Sequence, residues 1–158
     1  MRTALQGSIW LGFYMGLILF PLGAGTVFRP AGASDSLFIN LSVALGYVGF
    51  SIMAMELALL SRVKGATAAF GLDALQLVHK RIAYLALVLI LIHPLVLLLA
   101  GYPWQMMLLG PQVPWAIMLG TLATIATVLL IVLSLGRKWL RMPYELWQIT
   151  HGILAIAI

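Results

Sequence analysis

Long apolar runs with almost no charge recur along this chain, at about 8–28, 37–60, 73–100 and 114–135, and a fifth occupies 145–158. A helix needs roughly 20 apolar residues to cross a bilayer. Within lipid, only helices and closed barrels can satisfy every backbone polar group internally. Four of the runs reach the required length. The fifth provides about 21 Å of helix at about 1.5 Å per residue, too little to cross comfortably. The chain is 63% hydrophobic and 8% charged, a proportion that no water-soluble core of this size can bury. The expected fold is therefore all-α, a multi-pass transmembrane helix bundle forming one domain over 1–158. Its fifth helix is expected to be cut short, with six helices in the full protein.

The N-terminal run admits two readings. Arg2, the apolar stretch and Ala31-Gly32-Ala33 fit a secretory signal peptide with its cleavage site. The stretch is longer than a signal core, however, and Gly12 and Gly16 are spaced for close helix packing. A retained first helix is the expectation.

Basic residues set the orientation. If the helices alternate, Arg2, Arg62, Lys64, Lys80, Arg81, Arg137, Lys138 and Arg141 share one side, and Arg29 alone falls on the other. That asymmetry predicts a cytoplasmic N-terminus and cytoplasmic loops at 61–72 and 136–144, with the uncharged loop 101–113 outside. Tyr102, Trp104 and Trp115 then belong at the outer interface, and Trp139, Tyr144 and Trp147 at the inner one. The net charge of +5 is accounted for by these short loops, so it indicates the lipid bilayer as partner and no nucleic acid. The absence of cysteine excludes disulfides, iron–sulfur clusters and thiolate metal sites.

His79, His93 and His151 are the candidate functional residues, because ionisable groups inside a membrane are functional candidates by default. Each needs a polar partner or a metal. Fourteen residues on a helix advance about 40° less than four full turns, so His79 and His93 share one face, about 21 Å apart along the axis. One metal ion cannot be reached from both, whereas two stacked cofactors can. A short repeat ties in the third histidine: Asp73-x-x-Gln76-x-x-His79 matches Glu145-x-x-Gln148-x-x-His151. Both acids fall where a helix enters the membrane, near the positive end of its dipole. Both histidines then lie about 9 Å further along, at matching depth. Gln76 and Gln148 precede their histidines by three residues, and each is a candidate to orient its imidazole. Chance remains an alternative source of a seven-residue match with three shared residue types.

The stretch HKRIAYLALVLILIHPLVLLL, followed two spans later by YELWQITHGILAIA, resembles the ferric reductase-like transmembrane domain. This family includes NADPH oxidases, ferric-chelate reductases and the haem-binding membrane subunit of a periplasmic methionine sulfoxide reductase system. The resemblance covers about 37–158. It implies two b-type haems held by histidine pairs spaced by 13 or 14 residues. His79 and His93 match one pair and His151 the first member of the other, whose fourth histidine would fall beyond Ile158. It also implies an oxidoreductase that passes electrons from FAD and NAD(P)H, or from a quinol, to an external acceptor such as ferric iron or oxygen. The donor domain would lie in the same polypeptide or on a separate partner. Localisation in a bacterial inner membrane goes with this reading.

Several residues keep two readings. Lys80 and Arg81 suit haem propionates, or simply anchor the helix on the cytoplasmic side. Gly152, next to His151, would let a porphyrin approach the backbone, although glycine is common in membrane helices. Pro94 lacks the amide that would bond to Ile90 and is expected to bend the helix near His93. Gly23-Ala-Gly25 lacks the rest of a dinucleotide fingerprint. The competing class is a non-redox membrane protein with structural histidines. Against a transporter stands the fourth span, whose polar groups are all hydroxyls, and the position of Glu56 near the cytoplasmic end of the second.

Overall fold

A computed structural model describes residues 2–29, 32, 36–60, 70–107 and 113–158. These residues carry five α-helices, α1 (Arg2–Val27), α2 (Leu37–Leu60), α3 (Leu72–Leu99), α4 (Trp115–Gly136) and α5 (Tyr144–Ala157), with a 3-10 turn at Trp104–Met107 and no strand. Among the described residues four stretches are long and apolar enough to cross a membrane: Ala4–Val27, Leu37–Leu57, Leu72–Leu99 and Trp115–Gly136. The expected multi-pass helical bundle is thus found. Ala31 and Ala33 of the cleavage motif, Arg62 and Lys64 of the basic loop, and part of the loop 101–113 lie outside the described residues.

Boundaries agree with the apolar runs to within a residue except at α1, which begins at Arg2 rather than near Ser8. Hydropathy marks the portion of a helix that suits lipid, while the backbone ladder extends N-terminally past the exposed Gln6. Helix ends follow local chemistry. Gly71, at φ 79°, precedes α3, and Gly101, at φ 84°, follows it. Both angles lie in the region glycine reaches without a Cβ clash. Pro114 and Pro143 stand immediately before α4 and α5, where a missing amide costs no helical hydrogen bond. Pro21 and Pro94 lie inside α1 and α3.

The chain divides into two units, Met1–Ala100 and Gly101–Ile158. In the first, α1 packs on α2 and α2 packs on α3. Tyr14 and Ile18 of α1, Ile52 of α2 and Ala86 of α3 form its buried core, with Val48, Met55 and Ile82 against them. Contact between α2 and α3 is very close at Gly49, where a Cβ would come within 2.9 Å of Ile90 Cγ1 and 3.4 Å of the Ile90 backbone nitrogen. Small residues that let backbones approach are the usual basis of helix association in lipid.

In the second unit α5 packs against α4. The 3-10 turn is tied to α4 by Thr121, whose Oγ1 donates to the Met107 carbonyl at 3.1 Å and to that of Ile117 at 3.0 Å. A tight connection returns the chain from α4 to α5, with Met142 N–H bonded to the Arg137 carbonyl and Arg141 at φ 50°. Large apolar side chains lie exposed in both units, among them Phe20, Leu99, Leu135 and Ile156. A surface of this kind is solvated by lipid and not by water.

Candidate functional site

The α2–α3 pair is antiparallel, and its polar contacts sit at two levels. Glu56 of α2 meets His79 of α3, and Ser42 of α2 meets His93. The two histidines are 14 positions apart (93 − 79), and so are their partners (56 − 42). Because 14 residues make almost four turns, each set lies along one helix face. The two helices therefore present matched partners at both levels.

At the first level, His79 Nδ1 is hydrogen-bonded to Glu56 Oε2. Glu56 is 5% exposed. Its other oxygen, Oε1, accepts from the Tyr14 hydroxyl at 2.8 Å, and Tyr14 is itself buried. The carboxylate thus accepts from a phenol on α1 and an imidazole on α3. A buried carboxylate has to be compensated by such donors. With Nδ1–H given to Glu56, the Nε2 lone pair remains available, and Nε2 has no hydrogen-bond partner among the described residues.

At the second level the arrangement uses neutral groups. His93 Nδ1 lies 2.6 Å from the Ser42 carbonyl oxygen and 3.0 Å from Ser42 Oγ. The single Ser42 hydroxyl proton goes to the His93 carbonyl at 2.8 Å. Nδ1 must therefore carry the hydrogen and donate it to Ser42, which again leaves the Nε2 lone pair unengaged. Gly46 makes room for the ring: a Cβ there would lie 3.1 Å from Nδ1 and 3.2 Å from Cε1.

His151, on α5, is also held through Nδ1 by a side chain of a neighbouring helix, within the second unit. The Ser134 hydroxyl donates to the Leu130 carbonyl at 2.6 Å and accepts from His151 Nδ1 at 2.9 Å. The His151 ring also packs on Trp147, with centroids 5.2 Å apart. Trp147 in turn contacts Tyr144, and the Arg137 guanidinium lies over both rings, 4.9 Å from Tyr144 and 5.2 Å from Trp147. The Trp147 indole N–H is buried without a hydrogen-bond partner among the described residues.

Gln76 and Gln148 do not hold the imidazoles as the repeat led us to expect. Both side chains are exposed, and Glu56 and Ser134 occupy the Nδ1 positions. A residue three positions earlier is offset by about 60° around the helix, enough to turn it away when the histidine faces a neighbouring helix. Asp73 and Glu145 do fall in the first turns of α3 and α5. Lys80 and Arg81 are exposed beside His79. Glu56 lies near the end of α2, and nothing on its own helix pairs it to His79. The usable signal was the 14-residue offset that Ser42 and Glu56 share with the histidines.

Residues 45–158 match the family model described as the ferric reductase like transmembrane component. The chain belongs to this family. Membership places it among integral membrane proteins with a transmembrane redox role and oxidoreductase activity in general, and the family is generally associated with haem and flavin. No curated protein and no solved structure matches the chain.

The histidines fit such a group. An axial haem ligand supplies one imidazole lone pair, and metal-bound histidines pass their other ring N–H to a carboxylate or carbonyl. His79 and His93 are arranged in that way. Among the described residues no cluster of three or more His, Asp or Glu could hold a bare metal ion, whereas a porphyrin asks the protein for only one or two donors.

Proposed function

We propose that this chain carries electrons across the membrane by means of b-type haem ligated through His79, His93 and His151. The observation that supports this most directly is the state of the two imidazoles on α3. Both are fixed through Nδ1 by partners spaced as they are, and both keep the Nε2 lone pair for a metal. Bound iron porphyrin supplies a one-electron ferric/ferrous couple. The chain's part is to hold and orient the imidazoles, keep water out with an apolar helix surface, and set two levels about 21 Å apart along α3.

Lys80 and Arg81, beside His79, suit propionate carboxylates. Gln76 and Gln148, both exposed, are available to the periphery of the same groups. With the N-terminus cytoplasmic, as the basic residues favour, the level of His79 lies on the side of the electron donor and that of His93 toward the outer face. The donor is a flavin fed by NAD(P)H, in this polypeptide or on a partner, or a quinol. The acceptor is external, ferric iron or oxygen. An inner bacterial membrane suits this arrangement.

The decisive measurement is a reduced-minus-oxidised spectrum of haem-replete membranes containing the intact protein. Bands of b type are expected, and a colourless protein would return the histidines to a structural role. In the same membranes, a reporter in the loop 101–113 should label from outside; labelling from the cytoplasm reverses the direction.

A further inference from the structure

Resting on the assignment of His79 and His93 as axial ligands, we propose that Glu56, held by Tyr14, sets the reduction potential at His79 below that at His93. Glu56 is a positioning residue acting through the imidazole. The two levels of the α2–α3 pair are matched in spacing and differ in the charge of the acceptor. His79 gives its Nδ1–H to a carboxylate that is 5% exposed, whereas His93 gives its Nδ1–H to the neutral Ser42 carbonyl.

A carboxylate draws that proton toward itself and leaves the ring a stronger electron donor at Nε2. Stronger donation stabilises ferric over ferrous iron and lowers the potential. The negative charge acts in the same direction at a distance, since burial leaves little water to screen it. At His93 the acceptor is a peptide oxygen whose second role, in the α2 helix, is shared with the backbone ladder. The pair therefore builds a downhill step from His79 to His93 into one helix hairpin. In the proposed orientation, electrons entering from the cytoplasmic side would move outward.

Tyr14 modulates the step. Its hydroxyl donates to Oε1 at 2.8 Å and draws charge away from the oxygen facing His79. Loss of that hydroxyl should make Oε2 a stronger acceptor. The two substitutions thus carry opposite signs, which a merely structural role would not produce.

The test is a potentiometric titration of the intact, haem-loaded protein in lipid nanodiscs, with the two centres assigned by comparison with His93→Leu. Glu56→Gln keeps the shape and an acceptor oxygen while removing the charge. It should raise the ferrous-to-ferric ratio at His79 at least tenfold at fixed ambient potential, about 59 mV for one electron, and leave the His93 centre in place. Tyr14→Phe should move the same centre the other way by less, and Glu56→Asp should stay on the low side. Unchanged potentials, equal shifts at both centres, or shifts of the same sign in Glu56→Gln and Tyr14→Phe would overturn the proposal while leaving haem ligation intact. If Glu56→Gln cannot retain its haem, Tyr14→Phe and Glu56→Asp decide by their signs. A wild-type protein without b-type bands overturns the ligand assignment itself, and is distinguishable from all of these.

Discussion

The two ends of α3 hold their histidines by different chemistry on the same scaffold. Near its start, His79 depends on a side chain, Glu56, which in turn depends on Tyr14 of a third helix. Near its end, His93 depends on the main chain of Ser42 and on the absence of a side chain at Gly46. The first arrangement supplies charge and can be altered by one substitution. The second supplies geometry, and its acceptor cannot be removed by changing a side chain. A helix pair can thus hold two like ligands at one spacing and still give them unlike electronic surroundings.

The largest effects should come from the histidines themselves. In the intact protein, His79→Leu and His93→Leu should each abolish one b-type component and leave the other, because about 21 Å of helix separates them. Redox titration with optical detection reads this directly. Loss of the same component in both variants would mean that the two levels are not independent, and the comparison would collapse.

Much of this was legible in the sequence, for a physical reason. Membrane helices are written as apolar length, so α2 through α5 were delimited to within a residue, and the placing of His79 and His93 on one face follows from helix geometry alone. The partners were legible only in principle. Gln76 and Gln148 share a helix with their histidines, and the regularity of the repeat favoured them. The hydrogen bond depends instead on which face meets the neighbouring helix, which a single helix does not encode. Glu56 stood out as a carboxylate in an apolar run, yet its depth from the end of α2 had to be set against the depth of His79 in α3. Gly46 gave no signal, because glycine is frequent in membrane helices and only the imidazole lying against it makes this one necessary.

An intermediate effect is expected at that glycine. Gly46→Val places a branched side chain where even a Cβ would lie 3.1 Å from His93 Nδ1. Overpacking of this kind typically costs about 1–3 kcal/mol, and here the ring is the group most able to yield. Haem stoichiometry should fall toward that of His93→Leu, while the potential of the His79 centre stays unchanged. Equal loss of both centres would show that Gly46 serves the packing of α2 on α3 and has no particular role at His93.

The smallest effect should come from Ser42→Ala, although Ser42 is wholly buried. The substitution removes the hydroxyl that donates to the His93 carbonyl at 2.8 Å, a neutral hydrogen bond worth about 0.5–1.5 kcal/mol net. It leaves the Ser42 carbonyl, the shorter contact to Nδ1 at 2.6 Å. Thermal unfolding of the purified protein should therefore shift modestly downward, with the His93 centre still present and its potential close to that of the wild type. The contrast with Glu56→Gln is what makes the measurement informative, since both variants change one hydrogen-bonding side chain opposite a histidine of α3. Should Ser42→Ala empty the His93 centre as completely as His93→Leu does, the hydroxyl and not the main chain holds that ring, and the two ends of α3 would be alike in depending on a side chain.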